Sequence, residues 1–295
     1  MTQSLTVGLV APIFNNMPVW TAEHLGLFGD AGLTVTAKVL YGVQNVTSAT
    51  RDGSVEIGLG TPEGVLSDPE GALIIVGGNA RKLANALIAR RGIAAIADLR
   101  GATVGVSHAT EGTALLVTEM LAAHGLRAGR DYQLEAIGVA SARWEAIQSG
   151  KLDAGLQTPP HKYLAQDQGY PDLGEISAYV PDYQFTTVNV RADWAAAHQE
   201  TLRAFLAALA RATRWLYDEP EAATDLAARA LATTPGYARR DYEHFATSRS
   251  LTTDLTLSEP GMAKVVEVMR AAGTLPGPDD TGWRARIDLS LLPGS

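Results

Sequence analysis

The fold is decided by the stretch LTVGLVAPIFNNMP at positions 5–18. An apolar strand, 5–10, opens into a polar loop, and the pattern then predicts a helix over 19–28 and a second strand over 33–40. Strands that alternate with helices form mostly parallel sheets with helices on both faces. In such sheets ligands bind outside the carboxyl ends of the strands, so the loop after the first strand is a candidate binding loop.

The same pattern recurs in two series, which two extended crossings connect over 83–90 and 185–190. It predicts an α/β fold with two lobes, 1–83 with 190–295 and 84–189, in which the helical C-terminal part packs on the first lobe. The gap between two such lobes is typical of a ligand cleft that closes by bending at the crossings. The further strands of the two series are predicted at 55–60, 72–77, 102–107, 132–137 and 153–157.

Composition excludes several classes of protein. The chain has 295 residues with 24 Lys+Arg against 32 Asp+Glu, a net charge of −8. It has no basic run, which argues against nucleic acid or an anionic membrane as a partner. The absence of cysteine excludes disulfides, thiol nucleophiles and thiolate metal sites. No apolar stretch reaches the roughly 18–20 residues of a membrane helix, so we expect a soluble chain without a transmembrane segment.

The N-terminus leaves two compartments open. Only Met1-Thr2-Gln3-Ser4 precede the first strand, without the charged and apolar regions of a signal peptide. As it stands, the chain is expected in the cytoplasm. A mature protein whose signal peptide had been trimmed would instead be periplasmic or extracytoplasmic.

Five segments carry a resemblance to a known family: VGL at 7–9, AEHLGLFGDAGL at 22–33, DGSVEIG at 52–58, GATVGV at 101–106 and IQSGKLDA at 147–154. With these segments, residues 4–220 resemble the NMT1/THI5-like solute-binding proteins. That family includes the alkanesulfonate (SsuA), nitrate and thiamine-precursor (ThiY) binding components of ABC importers.

The resemblance implies a type II periplasmic-binding-protein fold and a small organic ligand, anionic or heteroaromatic. It also implies an ABC-transporter permease as partner and no cofactor. The family contains pyrimidine synthases and a sulfinate desulfinase, which use a Cys-containing motif or a Cys nucleophile. Because this chain has no cysteine, their chemistry is not carried over.

The loops at the strand ends supply the candidate ligand contacts. Amide, hydroxyl, charged and aromatic groups recur there, as a small polar ligand requires. The turn 110–113 opens a helix and presents backbone N–H groups that suit an anion, although such a turn is equally typical of a plain helix cap. The candidates are Phe14, Asn15, Asn16, Tyr41, Asn45, Thr61, Glu63, Asn79, Lys82, His108, Thr110, Glu111, Gly112, Thr113, Gln157, Thr158, His161 and Tyr183.

Two histidines leave an enzymatic alternative open. His108 and His161 each follow a strand of the second lobe, and imidazole transfers protons near neutral pH, with Glu63 or Glu111 available to orient it. Equally, both rings could serve only as hydrogen-bond partners. No metal-ligand spacing, dinucleotide fingerprint or serine-nucleophile motif occurs, so no metal or cofactor is expected. We therefore expect a non-catalytic binding protein, with a cytoplasmic decarboxylase or lyase on the same scaffold as the alternative.

Overall fold

The computed structural model describes residues 2–108, 113–275 and 282–294, without the side chain of Thr113. The described strands are β1 Gln3–Leu9, β2 Leu33–Val39, β3 Ile57–Gly60, β4 Leu73–Ala80, β5 Ala86–Ala89, β6 Thr103–Val106, β7 Gln133–Ala136, β8 Ala154–Gln157, β9 Asp172–Glu175 and β10 Thr186–Arg191. The described α-helices are α1 Met17–His24, α2 Leu27–Asp30, α3 Val43–Asp52, α4 Pro62–Leu66, α5 Thr113–Ala122, α6 Ala140–Gln148, α7 His161–Asp167, α8 Ala192–Ala197, α9 Gln199–Asp218, α10 Pro220–Ala230, α11 Pro235–Ser248 and α12 Glu259–Ala271. Short 3-10 helices lie at Phe14–Asn16, Ile96–Leu99, Ile176–Ala178 and Gly282–Arg286.

The strands form two sheets with the same design. The first has the order β2-β1-β3-β10-β4, and the second has the order β7-β6-β8-β5-β9. In the first sheet β10 is antiparallel to both of its neighbours, and in the second sheet β5 is. The other pairs are parallel, so four strands of each sheet point one way and one strand points the other way. The predicted α/β architecture is confirmed.

The reversed strand of each sheet lies in a predicted crossing. β5 falls within 83–90 and β10 begins within 185–190. Each starts beside the carboxyl end of a parallel strand, since Ala86 pairs with Gln157 and Thr187 pairs with Gly60. The crossings are therefore interior strands. Nearly all of their residues are buried, which fits that position.

The chain divides into two compact units. The first holds Met1–Lys82, Tyr183–Val266 and Leu275–Ser295, and the second holds Leu83–Asp182 and Glu267–Thr274. Residues 183–189, predicted with the second lobe, belong to the first unit because β10 pairs with β3 and β4. Across the described ranges, no helix is long and apolar enough to cross a bilayer.

Two local differences from the sequence prediction have clear causes. The helix predicted over 19–28 is divided into α1 and α2 because Gly26 adopts a left-handed conformation with φ 71°. Strand β9, with the sequence DLGE, was not predicted because it lacks the alternation of apolar residues that marks a strand.

Each unit has its own core. In the first, Phe205 of α9 is fully buried and stacks on Phe28 of α2, with the ring centroids 5.4 Å apart. Burying such a side chain contributes about 1.5–3 kcal/mol. In the second, Trp144 and Ile147 of α6 pack in one cluster with Ile88 of β5. These cores fix the helices that follow the strands, and with them the strand-end loops.

Candidate functional site

A hydrogen-bond network joins three strand-end segments of the first unit. The buried Asn79 amide nitrogen, in β4, donates to the backbone oxygen of Asn15 (2.7 Å) and to Thr186 Oγ1 (3.0 Å). Thr186 Oγ1 also accepts from the N–H of Ala80 (3.1 Å). The loop after β1 is thus tied to the end of β4 and the start of β10.

Asn79 Oδ1 and Thr61 Oγ1, at this end of the sheet, are buried and have no hydrogen-bond partner among the residues that the structure describes. The helix α4 begins at Pro62, as the sequence predicts, but the Thr61 hydroxyl forms no capping bond to it. Leaving a buried polar atom unpaired costs about 1–3 kcal/mol, so both oxygens are suited to meet a water molecule or a ligand.

Glu63 and Tyr183 form a buried pair in the first unit. The hydroxyl of Tyr183 donates to Glu63 Oε1 at 2.6 Å, and both side chains are nearly inaccessible to solvent. A buried carboxylate requires such hydrogen bonds. The role predicted for Glu63 beside a histidine stays a prediction.

The turn after β2 leaves an aromatic ring in solvent. Tyr41 is 62% exposed and has φ 53°, in the left-handed region that non-glycine residues rarely adopt. Asn45 Nδ2 donates to the carbonyl oxygens of Leu40 (2.8 Å) and Tyr41 (3.4 Å). The Asn45 amide therefore supports the turn that presents the Tyr41 ring.

Other predicted contacts of the first unit serve its packing or lie in solvent. The Phe14 ring is buried 4.7 Å from the ring of Phe245, centroid to centroid, and Asn16 Nδ2 donates to the Ala11 carbonyl at 2.7 Å. Asn15 is half-buried and Lys82 is exposed. A ligand contact by any of these side chains remains a prediction.

In the second unit, the topology brings the two histidines to one sheet edge. His108 follows β6 and His161 begins α7 after β8, and β6 and β8 are neighbours in the sheet. Burial lowers the pKa of the His161 imidazole, the positive charge of Arg143 lowers it further, and Glu145 acts in the opposite direction. Burial and Arg143 therefore favour the neutral form of the His161 ring, while a proton-transfer role for either histidine stays a prediction.

The remaining candidates of the second unit differ in what the structure says of them. Thr110, Glu111 and Gly112 lie outside the described residues, as does the side chain of Thr113. Thr158 is half-buried. The buried Gln157 amide satisfies both of its groups when its nitrogen donates to the Ala140 carbonyl (3.0 Å) and its oxygen accepts from the Trp144 N–H (3.3 Å). Gln157 thus supports α6.

Arg143, in α6, is only 3% exposed and was not among the predicted candidates. Its Nε donates to the Leu156 carbonyl at 2.8 Å, and its Nη1 donates to the Gly138 carbonyl. Burial lowers the pKa of Arg143 to about 10, which still leaves it charged at neutral pH. The available signal was helical spacing, because Val139 and Ile147, four residues on either side, place Arg143 on the apolar face.

A second missed residue, Asn85, lies directly before β5. Its side chain is 2% exposed, and its Nδ2 is buried without a hydrogen-bond partner in the described part of the chain. Since Ala86 pairs with the last residue of β8, Asn85 lies at the carboxyl edge of the second sheet. The described residues contain no group of three His, Asp or Glu side chains that could hold a metal ion.

Comparison with known proteins decides the family. The family model described as NMT1/THI5 like matches residues 13–223, more than half of the chain. The chain belongs to the NMT1/THI5-like family. No curated protein sequence matches it.

Solved structures share the fold of this NMT1/THI5-like chain. The alkanesulfonate-binding protein SsuA from Xanthomonas axonopodis pv. citri, bound to MOPS, is 17% identical with a TM-score of 0.80, over 97% of this chain and 98% of that chain. The periplasmic aliphatic sulphonate binding protein SsuA from Escherichia coli is 19% identical with a TM-score of 0.79, over 99% of each chain. The periplasmic nitrate-binding protein NrtA from Synechocystis PCC 6803 is 12% identical with a TM-score of 0.81, over 98% of this chain and 87% of that chain. The predicted type II periplasmic-binding-protein fold is confirmed.

On this family scaffold, the described strand ends offer polar recognition groups of several kinds. Thr61 contributes a hydroxyl, Asn79 an amide oxygen, Asn85 an amide nitrogen and Arg143 a positive charge. Such groups bind and orient a small polar molecule through donors, acceptors and charge.

Proposed function

We propose that this NMT1/THI5-like protein is a solute-binding protein that captures a small polar organic ligand with polar residues at the ends of its strands. The observation that carries the proposal is a set of buried polar atoms without partners at those strand ends, Thr61 Oγ1, Asn79 Oδ1 and Asn85 Nδ2. Nearly all buried polar groups in folded proteins are hydrogen-bonded, so exceptions at strand ends, where ligands bind in α/β proteins, support a ligand-binding role.

The solved relatives support the same class of function. Two are described as sulfonate-binding proteins and one as a nitrate-binding protein, and the Escherichia coli and Synechocystis proteins are described as periplasmic. A further relative, from Staphylococcus aureus, is described as the ligand-binding component of an ABC-type import system. By this analogy, the protein would act outside the cytoplasmic membrane and pass its ligand to an ABC-transporter permease.

The alternative is a cytoplasmic lyase or decarboxylase that uses His108 and His161 with Glu63 or Glu111. Glu63 Oε1 accepts a hydrogen bond from the hydroxyl of Tyr183, which belongs to the same unit. No specific observation favours a proton-transfer role for the two histidines, so the binding function is preferred.

A ligand screen tests the proposal. Wild-type protein is screened by thermal shift against carboxylates, sulfonates, neutral pyrimidines and amines, and each hit is measured by isothermal titration calorimetry. We expect at least one hit whose affinity falls in Asn79→Ala, in the first unit, or in Asn85→Ala, in the second. An absence of hits, or unchanged affinities in both folded variants, would contradict the proposal.

A further inference from the structure

The amide group of Asn79 is held in one orientation. Its Nδ2 donates to the backbone oxygen of Asn15 at 2.7 Å and to Thr186 Oγ1 at 3.0 Å. Because a carbonyl oxygen only accepts hydrogen bonds, the nitrogen of the amide, and not its oxygen, faces Asn15. An amide nitrogen carries two hydrogens, and these two bonds use both of them. The remaining atom, Asn79 Oδ1, is an acceptor that has no donor among the described residues.

Two neighbouring amides differ from Asn79 in this respect. Gln184 Oε1 accepts from the N–H of Ser258 at 2.9 Å, and Asn189 Oδ1 accepts from Thr187 Oγ1 at 2.7 Å. Gln184 lies just before β10 and Asn189 lies within it, and β10 pairs with the strand that holds Asn79. All three side chains are buried. The packing around β10 therefore supplies a donor to two of the amide oxygens and leaves that of Asn79 without one.

The donors that follow Asn79 along the chain are directed elsewhere. The N–H of Ala80 donates to Thr186 Oγ1 at 3.1 Å. The Arg81 guanidinium donates through Nη2 to Thr256 Oγ1 at 2.8 Å, in a segment that lies along the edge of β4 opposite to β10. Since buried acceptors are nearly always paired, the donor for Asn79 Oδ1 is expected to be a water molecule or a ligand.

The position of Asn79 favours a ligand. It lies near the carboxyl end of β4, where ligands bind in α/β proteins, and its partner Asn15 is only half-buried, so the amide lies close to the surface of the unit. Thr61 follows β3, on the other side of β10, and its hydroxyl also lacks a partner in the described chain. A hydroxyl donates or accepts, whereas an amide oxygen only accepts. Asn79 is therefore the residue that distinguishes one kind of ligand group from another.

We propose that the ligand of this protein carries an amine or a hydroxyl group that donates a hydrogen bond to Asn79 Oδ1. The inference rests on the proposed solute-binding function and specifies one chemical group of the ligand. A ligand without an N–H or O–H at this point would displace water from Oδ1 and leave that atom unpaired, so it binds more weakly. Asn79 thus selects for a donor group, whatever the charge on the rest of the ligand.

The test compares pairs of small probes in which methylation removes the donor. The pairs are glycolate with methoxyacetate, ethylene glycol with dimethoxyethane, and glycine with glycine betaine, which keeps the positive charge without an N–H. Binding to wild-type protein is located through the side-chain amide signals of Asn79, assigned by triple-resonance NMR, and affinities are measured by ligand-observed NMR. We expect the donor-bearing member of at least one pair to shift the Asn79 signals in a saturable way.

The methylated member of that pair should bind more weakly by about 2- to 12-fold for a hydroxyl and by up to about 150-fold for an ammonium group, the values of neutral and charged hydrogen bonds. Asn79→Leu has a similar volume but no acceptor, so both members of a pair should bind to it with equal affinity. A preference that came only from the bulk of the methyl groups would persist in this variant.

Thr252→Val is the matched control. Thr252 is buried beside the same strand, and its hydroxyl donates to the Gly78 carbonyl at 3.1 Å. The variant loses a buried hydrogen bond but keeps Asn79 Oδ1, so it should retain the wild-type preference within each pair. If Asn79→Leu does not fold, the comparison of the pairs on wild-type protein, observed at the Asn79 signals, decides the question.

Three results would overturn the inference: no response of the Asn79 signals to any donor-bearing probe, equal affinities within every pair on wild-type protein, or a preference that persists in folded Asn79→Leu. The proposed function fails separately, if the wider screen finds no ligand at all. A ligand from that screen that has no N–H or O–H group would leave the solute-binding function standing and refute the selection by Asn79.

Discussion

At the scale of a single residue, a substitution of Thr61 should lower ligand affinity without lowering the free energy of unfolding. Its hydroxyl is buried without a partner, so Thr61→Val should leave the free energy of unfolding unchanged or raise it. The same substitution should weaken ligand binding by about 0.5–1.5 kcal/mol, the net value of a neutral hydrogen bond. Urea unfolding and calorimetric titration with a ligand from the screen measure the two effects.

Thr21 provides the matched control. Its hydroxyl is also buried without a partner among the described residues, but it lies within the helix α1 and not in a strand-end segment. Thr21→Val should therefore resemble Thr61→Val in stability and wild type in ligand affinity. Equal affinities for all three proteins would remove Thr61 from the binding site.

His161 makes a pH-dependent contribution to stability. Burial, and then Arg143, lower the pKa of His161 in the folded protein below 6.5, so the unfolded chain takes up this proton first as the pH falls. The contribution is therefore present above about pH 6.5 and is lost as the pH falls through the folded pKa. NMR titration should show a higher pKa for His161 in Arg143→Gln than in wild type.

The stability change between pH 7.5 and pH 5 should be smaller in His161→Gln, because glutamine does not titrate. Denaturant unfolding at both pH values measures it. An identical pH dependence in wild type and His161→Gln would show that other groups account for the acid sensitivity.

At the scale of elements, the turn between β2 and α3 combines backbone strain with an exposed ring. Tyr41→Gly should raise the free energy of unfolding by up to about 1 kcal/mol, because glycine adopts the observed φ of 53° without a steric penalty. If the ring contacts the ligand, the same variant binds more weakly. Thermal unfolding and calorimetry test the two parts.

Ala232, with φ 48° just beyond the C-terminal end of α10, is the control for that substitution. Ala232→Gly should give a similar gain in stability with unchanged ligand affinity. A loss of stability in Tyr41→Gly beside a gain in Ala232→Gly would mean that ring contacts, and not backbone strain, dominate at position 41.

The contact between α3 and β3 requires a glycine. A Cβ atom on Gly58 would come within 2.3 Å of Thr50 Oγ1 and 3.0 Å of Val46 Cγ1. Gly58→Ala should destabilise the protein by about 1–3 kcal/mol through overpacking. Thr50→Ala should recover part of that loss in the double variant, and additive effects in a double-mutant cycle would contradict a direct clash.

The order of strands and helices could be predicted because apolar alternation and turn residues mark them locally. The position of the crossings as interior strands could not be predicted. It depends on the pairing of β5 with β8 and of β10 with β3, and these strands are far apart in the sequence. Gly26 lies inside an apolar helical pattern, so a break there depends on backbone geometry that the pattern does not report.

At the scale of the whole molecule, candidate residues can be chosen because ligands in α/β proteins bind outside the carboxyl ends of the strands. That choice does not tell which of their polar atoms already have hydrogen-bond partners within the protein. The Gln157 amide hydrogen-bonds to α6 in one orientation, and its predicted ligand contact stays a prediction. Arg143 was missed because a charged residue in a helix is usually solvated, and its burial depends on packing against β8, where it donates to the Leu156 carbonyl. The composition of neighbouring strands, together with helical spacing, is the signal that would reveal such residues.

The central claim is that this NMT1/THI5-like protein binds a small polar ligand and releases it chemically unchanged. The most direct measurement is calorimetric titration with a ligand from the screen, followed by prolonged incubation and mass spectrometry of all the recovered small molecules. We expect saturable binding with the ligand recovered intact. The affinity should be lower in Thr61→Val than in wild type and equal to wild type in Thr21→Val. A product formed by wild type and absent with His108→Gln or His161→Gln would contradict it and establish the enzymatic alternative.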